Sequence, residues 1–131
     1  MTKTNLRLLD ANLNRLREGI RVVEDIYRYI FNDKEIASQL KILRHNSRIE
    51  QYNELLDSRD IKNDVLKVST PSEQNRSGLL SIVIANFKRA QESARVLEEF
   101  GKLIDIKTSE NFKFIRYELY NLEKSISKHQ M

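Results

Sequence analysis

Ala11-Asn12-Leu13-Asn14-Arg15-Leu16-Arg17-Glu18-Gly19-Ile20-Arg21-Val22-Val23-Glu24 and Ala85-Asn86-Phe87-Lys88-Arg89-Ala90-Gln91-Glu92-Ser93-Ala94-Arg95-Val96-Leu97-Glu98 are two versions of one segment, offset by 74 residues throughout. The match resumes with Lys41-x-x-Arg44-His45 against Lys113-x-x-Arg116-Tyr117, now at an offset of 72, so the second copy is two residues shorter where its helices join. A unit that cannot bury its own apolar face is completed by its twin. Each copy therefore predicts one helical hairpin. The pair predicts an all-α, four-helix bundle-like domain whose duplicated hairpins are related by a pseudo-twofold axis. Repeat 1 covers about 5–56, a connecting loop about 57–75, and repeat 2 about 76–128, all within a single domain of 131 residues.

Composition agrees with that architecture. Three glycines, one proline and 32% charged residues favour long helices over strands and tight turns. The absence of cysteine excludes disulfides, thiolate metal sites and cysteine nucleophiles. The net charge of +4 is spread as interleaved signs along helices, so no nucleic-acid footprint is expected. Met1-Thr2-Lys3-Thr4-Asn5 leads directly into amphipathic sequence without an apolar leader or span, and the expectation is a cytoplasmic protein with no membrane partner.

Helix by helix, periodicity predicts a first helix at about Asn5 to Phe31, with Asn32-Asp33 as turn and N-cap, then a second at about Lys34 to Leu56. In the loop that follows, Ser69-Thr70-Pro71-Ser72-Glu73 is expected to cap a third helix at about Arg76 to Ile104. Thr108 or Ser109 is expected to cap a fourth, running to about Ser127 before a polar tail. The loop is longer than a simple connection needs, and it carries Val65, Leu66 and Val68 beside Arg59, Asp60, Lys62, Asp64 and Lys67. It is expected to pack and to lie over a site.

At about 100° per residue, Asp10, Asn14, Arg17, Arg21, Glu24, Asp25 and Arg28 fall on the predicted solvated side of the first helix. Lys88, Gln91, Arg95, Glu98, Glu99 and Lys102 do so in the third. Asn12 and Arg15, like Asn86 and Arg89, fall inside the apolar arcs, with Glu18 and Glu92 at their margins. An arginine in such a place needs an anion. Arg15–Glu18 and Arg89–Glu92 have the i,i+3 spacing to serve as structural staples. The functional alternative is that Asn, Arg and Glu of both repeats converge on a polar, anionic small molecule. Gly19, opposite Ser93 in the alignment of copies, is read as a point of close helix packing.

Arg44-His45-Asn46-Ser47-Arg48 on the second helix, with Lys113 and Arg116 on the fourth, suits phosphate, and a solvated helix face is an equal reading for Arg48 and Lys113. No Glu-x-x-His, G-x-x-x-x-G-K-[ST] or G-x-G-x-x-G sequence occurs. No cysteine or histidine metal site is expected, and Phe112, Phe114, Tyr117 and Tyr120 read as packing residues.

Arg7 through Asp25, Leu43-Arg44-His45, Arg59-Asp60, Asp64-Val65, Ser69 through Glu73 and Ala85 through Phe100 together resemble the helical family found alone or fused ahead of thiamine-phosphate synthase. Members are regarded as alternative hydroxymethylpyrimidine-phosphate kinases of thiamine biosynthesis. The resemblance implies transfer of the γ-phosphoryl of ATP, with Mg²⁺, to a phosphorylated pyrimidine. On that reading Arg15, Arg89, Arg44 and Arg116 are cations for phosphate, with His45 beside them. Glu18, Glu92 and Asp64 bind metal or orient the acceptor hydroxyl, and Asn12 and Asn86 recognise the pyrimidine edge. Thiamine-phosphate synthase and a second copy of the chain are the macromolecular partners considered. The alternatives are a noncatalytic module that binds the pyrimidine or docks on the synthase, and a ligand-free self-association domain.

Overall fold

The computed structural model describes the backbone of residues 1–130 and the side chains of residues 1–126. It is all-α, with no strand among the described residues. The helices are α1 (Lys3–Asp25), α2 (Lys34–Asn46), α3 (Tyr52–Ser58), α4 (Pro71–Gln74), α5 (Leu79–Gly101) and α6 (Ile106–Gln130). Thr2 starts α1 by accepting the Asn5 N–H, and Asp33 starts α2 by accepting that of Ile36 at 3.0 Å. The expected polar tail is helical to Gln130, while the His129 side chain and Met131 lie outside the described residues.

Each hairpin pairs its helices as the repeat requires, α1 on α2 and α5 on α6, and α1 and α5 form the central contact. Asn111 Nδ2 donates to the Asn46 carbonyl at 3.0 Å, while Ile36 and Gln39 share a groove with Leu122 and Ile126. Those two contacts make α2 and α6 antiparallel, so α1 and α5 are antiparallel as well. The core between the helices includes the fully buried Leu9, Leu16, Ile20, Leu40, Phe87, Leu97, Phe112, Ile115 and Leu119. Each such side chain contributes about 1.5–3 kcal/mol by leaving water. Gly19 packs against α5 as expected. A Cβ there would sit 3.1 Å from the Asn86 carbonyl oxygen and 3.4 Å from Ala90 Cβ.

Four local expectations are corrected. The first helix does not continue as α-helix to Phe31: Ile26–Ile30 is a π-helical turn, with Phe31 N–H bonded to the Ile26 carbonyl, and Asn32 turns the chain at φ 51°. The second helix breaks at Ser47, whose buried hydroxyl donates to the Leu43 carbonyl at 2.7 Å and competes with helical propagation. Its counterpart in the second copy is Leu119, a core residue, and there the helix runs on. The third helix begins at Leu79, behind Gly78 at φ 155°, because the Thr70–Glu73 capping box belongs to the one-turn α4. In α6 the cap is neither Thr108 nor Ser109 but Asp105, which accepts the Thr108 N–H at 2.7 Å.

The connecting segment is held at its start rather than packed along its length. Arg59 bonds Asp10 through both guanidinium arms at 2.9 Å, and Arg7 Nη2 donates to the Asp60 carbonyl at 3.0 Å. Val65, Leu66 and Val68, expected to pack, are 94%, 83% and 81% exposed. No helix is long and apolar enough to cross a membrane among the described residues.

Candidate functional site

Glu24 falls on the solvated side by its position on the helical wheel, yet it is 1% exposed. Arg44 reaches it from α2, with Nε at 2.7 Å from Oε1 and Nη2 at 3.2 Å from Oε2. The second copy repeats the bond: Arg116 of α6 donates through Nε and Nη2 to Glu98 Oε1 at 3.0 and 2.8 Å. Glu98 is 6% exposed and also meets Arg95 at 3.4 Å. Hydrogen bonding to Glu24 is the main cause holding the Arg44 guanidinium above its ordinary pKa. Arg44 and Arg116, expected as phosphate ligands, each tie the second helix of their hairpin to the first. The wheel misplaced both glutamates because it scores apolarity and cannot know that α2 and α6 cover those flanks.

The reverse correction applies to Arg15 and Arg89. Both were expected inside apolar arcs, and both are exposed, as are Glu18 and Glu92. Neither i,i+3 pair closes as a salt bridge among the described residues, so the staple reading fails. The asparagines are buried or half-buried and bond their own helices: Asn12 Nδ2 donates to the Leu8 carbonyl at 3.0 Å and Asn86 Nδ2 to the Ile82 carbonyl at 2.8 Å.

Helix geometry brings the two exposed arginines to one surface. Arg15 is one turn from both Asn12 and Gly19, hence beside the seam with α5, on the flank opposite Glu24. Arg89 holds the same place on α5, opposite Glu98. The flanks carrying Glu24 and Glu98 face α2 and α6, which touch each other and so lie on one side of the α1/α5 pair. Arg15, Glu18, Arg89 and Glu92 consequently share the outer face of that pair. Both ends of the connecting segment reach it. Arg59 is held above its ordinary pKa first by Asp10, with Glu18 adding the smallest contribution. Glu73 is held below the usual carboxylate range first by hydrogen bonds from Thr70, with Arg89 helping through its charge.

His45 is exposed on α2, and Asp64 is half-buried in the connecting segment, accepting the Leu66 N–H at 2.9 Å. No three His, Cys, Asp or Glu residues are grouped to hold a metal ion among the described residues. Sequence reasoning missed Asp10, which is 5% exposed and anchors Arg59. Its counterpart in the second copy is Ile84, so comparison of the repeats carried no signal for it.

The ThiD2 family model matches residues 7–125. A thiamine-phosphate synthase of Nostoc sp. is 40% identical over 125 residues, covering 95% of this chain and 36% of that protein. Thiamine-phosphate synthases of Thermosynechococcus vestitus and Rhodopirellula baltica are each 40% identical, over 122 and 124 residues, covering 92% and 91% of this chain and 35% and 33% of theirs. The chain thus spans about a third of the length of these curated relatives. No solved structure matches.

Proposed function

This chain belongs to the ThiD2 family, and from that premise we propose that it acts in thiamine biosynthesis, binding hydroxymethylpyrimidine phosphate on the outer face of α1 and α5 and phosphorylating it from ATP. The observation that carries the reading is the state of the four repeated arginines. Arg44 and Arg116 are consumed by buried carboxylates, whereas Arg15 and Arg89 stand exposed on one face without a hydrogen bond or ion pair among the described residues. Two equivalent guanidinium forks suit the oxygens of two phosphoryl groups, one from each substrate.

In the reaction, an oxygen of the pyrimidine's phosphate attacks the γ-phosphorus of ATP. The new P–O bond forms as the bond to the β-phosphate oxygen breaks, giving the pyrimidine diphosphate and ADP. The attacking oxygen is already anionic, so no general base is required, and catalysis consists of positioning and charge neutralisation. Arg15 and Arg89 supply the neutralisation, and the buried Asn12 and half-buried Asn86 retain carbonyl oxygens with which to read the pyrimidine. Magnesium in such reactions is held largely by substrate phosphates with one or two carboxylates. Glu18 and Glu92, exposed beside the arginines, fit that donor set, and Mg²⁺ would supply shielding of the β- and γ-phosphates.

The test combines the protein with hydroxymethylpyrimidine phosphate, ATP and Mg²⁺ and follows products by phosphorus NMR. Pyrimidine diphosphate is expected from wild type, with at least about a tenfold loss for Arg15→Ala or Arg89→Ala, the value of one lost charge-assisted bond. Unchanged ATP with perturbed pyrimidine-phosphate resonances would refute the kinase and leave the binding-module alternative. That alternative is favoured by one observation, that relatives named thiamine-phosphate synthase carry this segment as about a third of their length.

A further inference from the structure

A cavity lined by cations lies on the flank of α1 away from that outer face, where the two copies differ. The Glu that receives the brace and the Asp that caps the next helix are Glu24 and Asp33 in the first copy, and Glu98 and Asp105 in the second. The interval is two residues longer in the first copy, which accounts for the change of offset from 74 to 72. The extra length is spent on the π-helical turn Ile26–Ile30 and on Asn32 at φ 51°. Both are conformations that recur at functional sites.

Their consequence is a cavity of about 300 Å³ between α1 and α2, lined by Glu24, Arg28, Asn32, Lys34, Ser38 and Lys41 among others. This is the lower end of the range for small-molecule sites. Its acids are already engaged. Both Glu24 oxygens are bonded to Arg44, and the Asp33 carboxylate caps Ile36. Its cations are not: Arg28, Lys34 and Lys41 are exposed and form no salt bridge among the described residues, Arg28 resting over the Tyr29 ring at 5.0 Å. The corresponding corner of the second copy is filled. Ser109 Oγ donates to the Glu98 carbonyl at 2.8 Å, and a Cβ on Gly101 would lie 3.3 Å from Ser109 N. There, Ile106 replaces Lys34, Glu110 replaces Ser38, and Lys102 is paired with Glu99 at 3.1 Å.

We propose that the corner between α1 and α2 is an anion site of the first copy, binding a phosphate or diphosphate group of a small molecule through Arg28, Lys34 and Lys41. Arg28, Lys34 and Lys41, lining one open pocket, provide the charge, and Asn32 and Ser38 provide uncharged hydrogen-bonding groups for the remaining oxygens. The site is separate from the outer face of α1 and α5 and does not depend on it.

The test is an amide NMR titration of the whole chain with inorganic pyrophosphate at constant ionic strength. Saturable shifts concentrated on residues 26–41 are expected. The affinity read at residues 26–41 should fall about tenfold or more in Arg28→Gln/Lys41→Gln, with any shifts on the outer face of α1 and α5, where Arg15 and Arg89 lie, fitted separately. Lys34→Gln, at an exposed position in the first turn of α2, gives a second reading should the double variant lose its fold. Shifts confined to the outer face of α1 and α5, undiminished binding in the lysine and arginine variants, or equal competition by chloride would each overturn the proposal.

Discussion

Replacing Arg44 by alanine separates a brace from a ligand residue. The substitution removes two charge-assisted bonds, at 2.7 and 3.2 Å, and strands a glutamate that is 1% exposed. Breaking one side of a buried pair costs about 3–5 kcal/mol, because the remaining charge keeps its desolvation without its partner. The lower end applies here, since Glu24 borders the corner cavity and water can enter it. A loss of about 3 kcal/mol corresponds to a fall of roughly 10–15 °C in Tm for a chain of this size. Arg116→Ala should cost less, about 2 kcal/mol, because Glu98 retains Arg95 at 3.4 Å. If the charges rather than the shapes are at stake, the Glu24→Met/Arg44→Met double variant should recover to within about 1 kcal/mol of wild type. Thermal and urea unfolding followed by circular dichroism measure all three. The reasoning is refuted if Arg44→Ala keeps its wild-type melting temperature while pyrimidine-phosphate binding disappears, since Arg44 would then be a ligand residue.

Two further outcomes follow from other contacts. Gly19→Ala gains about 1 kcal/mol of helix propensity but drives its Cβ to 3.1 Å from the backbone oxygen of Asn86, which cannot rotate away. Net destabilisation of about 1–2 kcal/mol is expected, and a raised melting temperature would show that α1 and α5 separate without cost. Asp105 is held below the usual carboxylate range, first by the backbone N–H of Thr108 and then by its side chain. Its folded value lies below its unfolded one, so its contribution is fully present above the ordinary aspartate value near 4 and is lost as pH falls through the lower folded value. The Thr108 amide resonance should report a titration midpoint below 4, about the free aspartate value. A midpoint at or above that value would exclude the cap.

The helical class and the pairing of hairpins were legible because duplication and periodicity are properties of sequence alone. Gly19 was legible because a mid-helix glycine has few uses other than close approach. What failed were statements about which flank of a helix is covered. The wheel put Glu24, Glu98 and Gln91 in solvent, although Gln91 is buried and donates to Glu123 at 2.8 Å. Neighbouring helices decide coverage, and their placement is a tertiary fact. The break at Ser47 could have been seen from the repeat, since a serine stands where the twin has Leu119. The cap at Asp105 could have been found by shifting Asp33 by the second offset.

The duplicated residues can be divided by asking which of them folding already explains. Asn12 and Asn86 bond their own helices, and Glu24 with Arg44 and Glu98 with Arg116 brace the hairpins. Arg21 and Arg95 pair with acids one turn on, Asp25 at 3.1 Å and Glu99 at 3.3 Å. On α1 and α5, Arg15, Arg89, Glu18 and Glu92 remain, and on α2 and α6 the exposed Lys41 and Lys113. They are exposed on α-helices, where lysine, glutamine or alanine would serve the fold about as well. Exposed charges of this kind contribute little to stability, typically within about 0.5 kcal/mol. The same arginine and the same glutamate nevertheless stand at equivalent places in both copies, although the neighbours Asn14 and Lys88, or Arg17 and Gln91, have diverged. Folding does not require that identity, and under the function proposed above a ligand shared across the outer face of α1 and α5 would act on both helices at once.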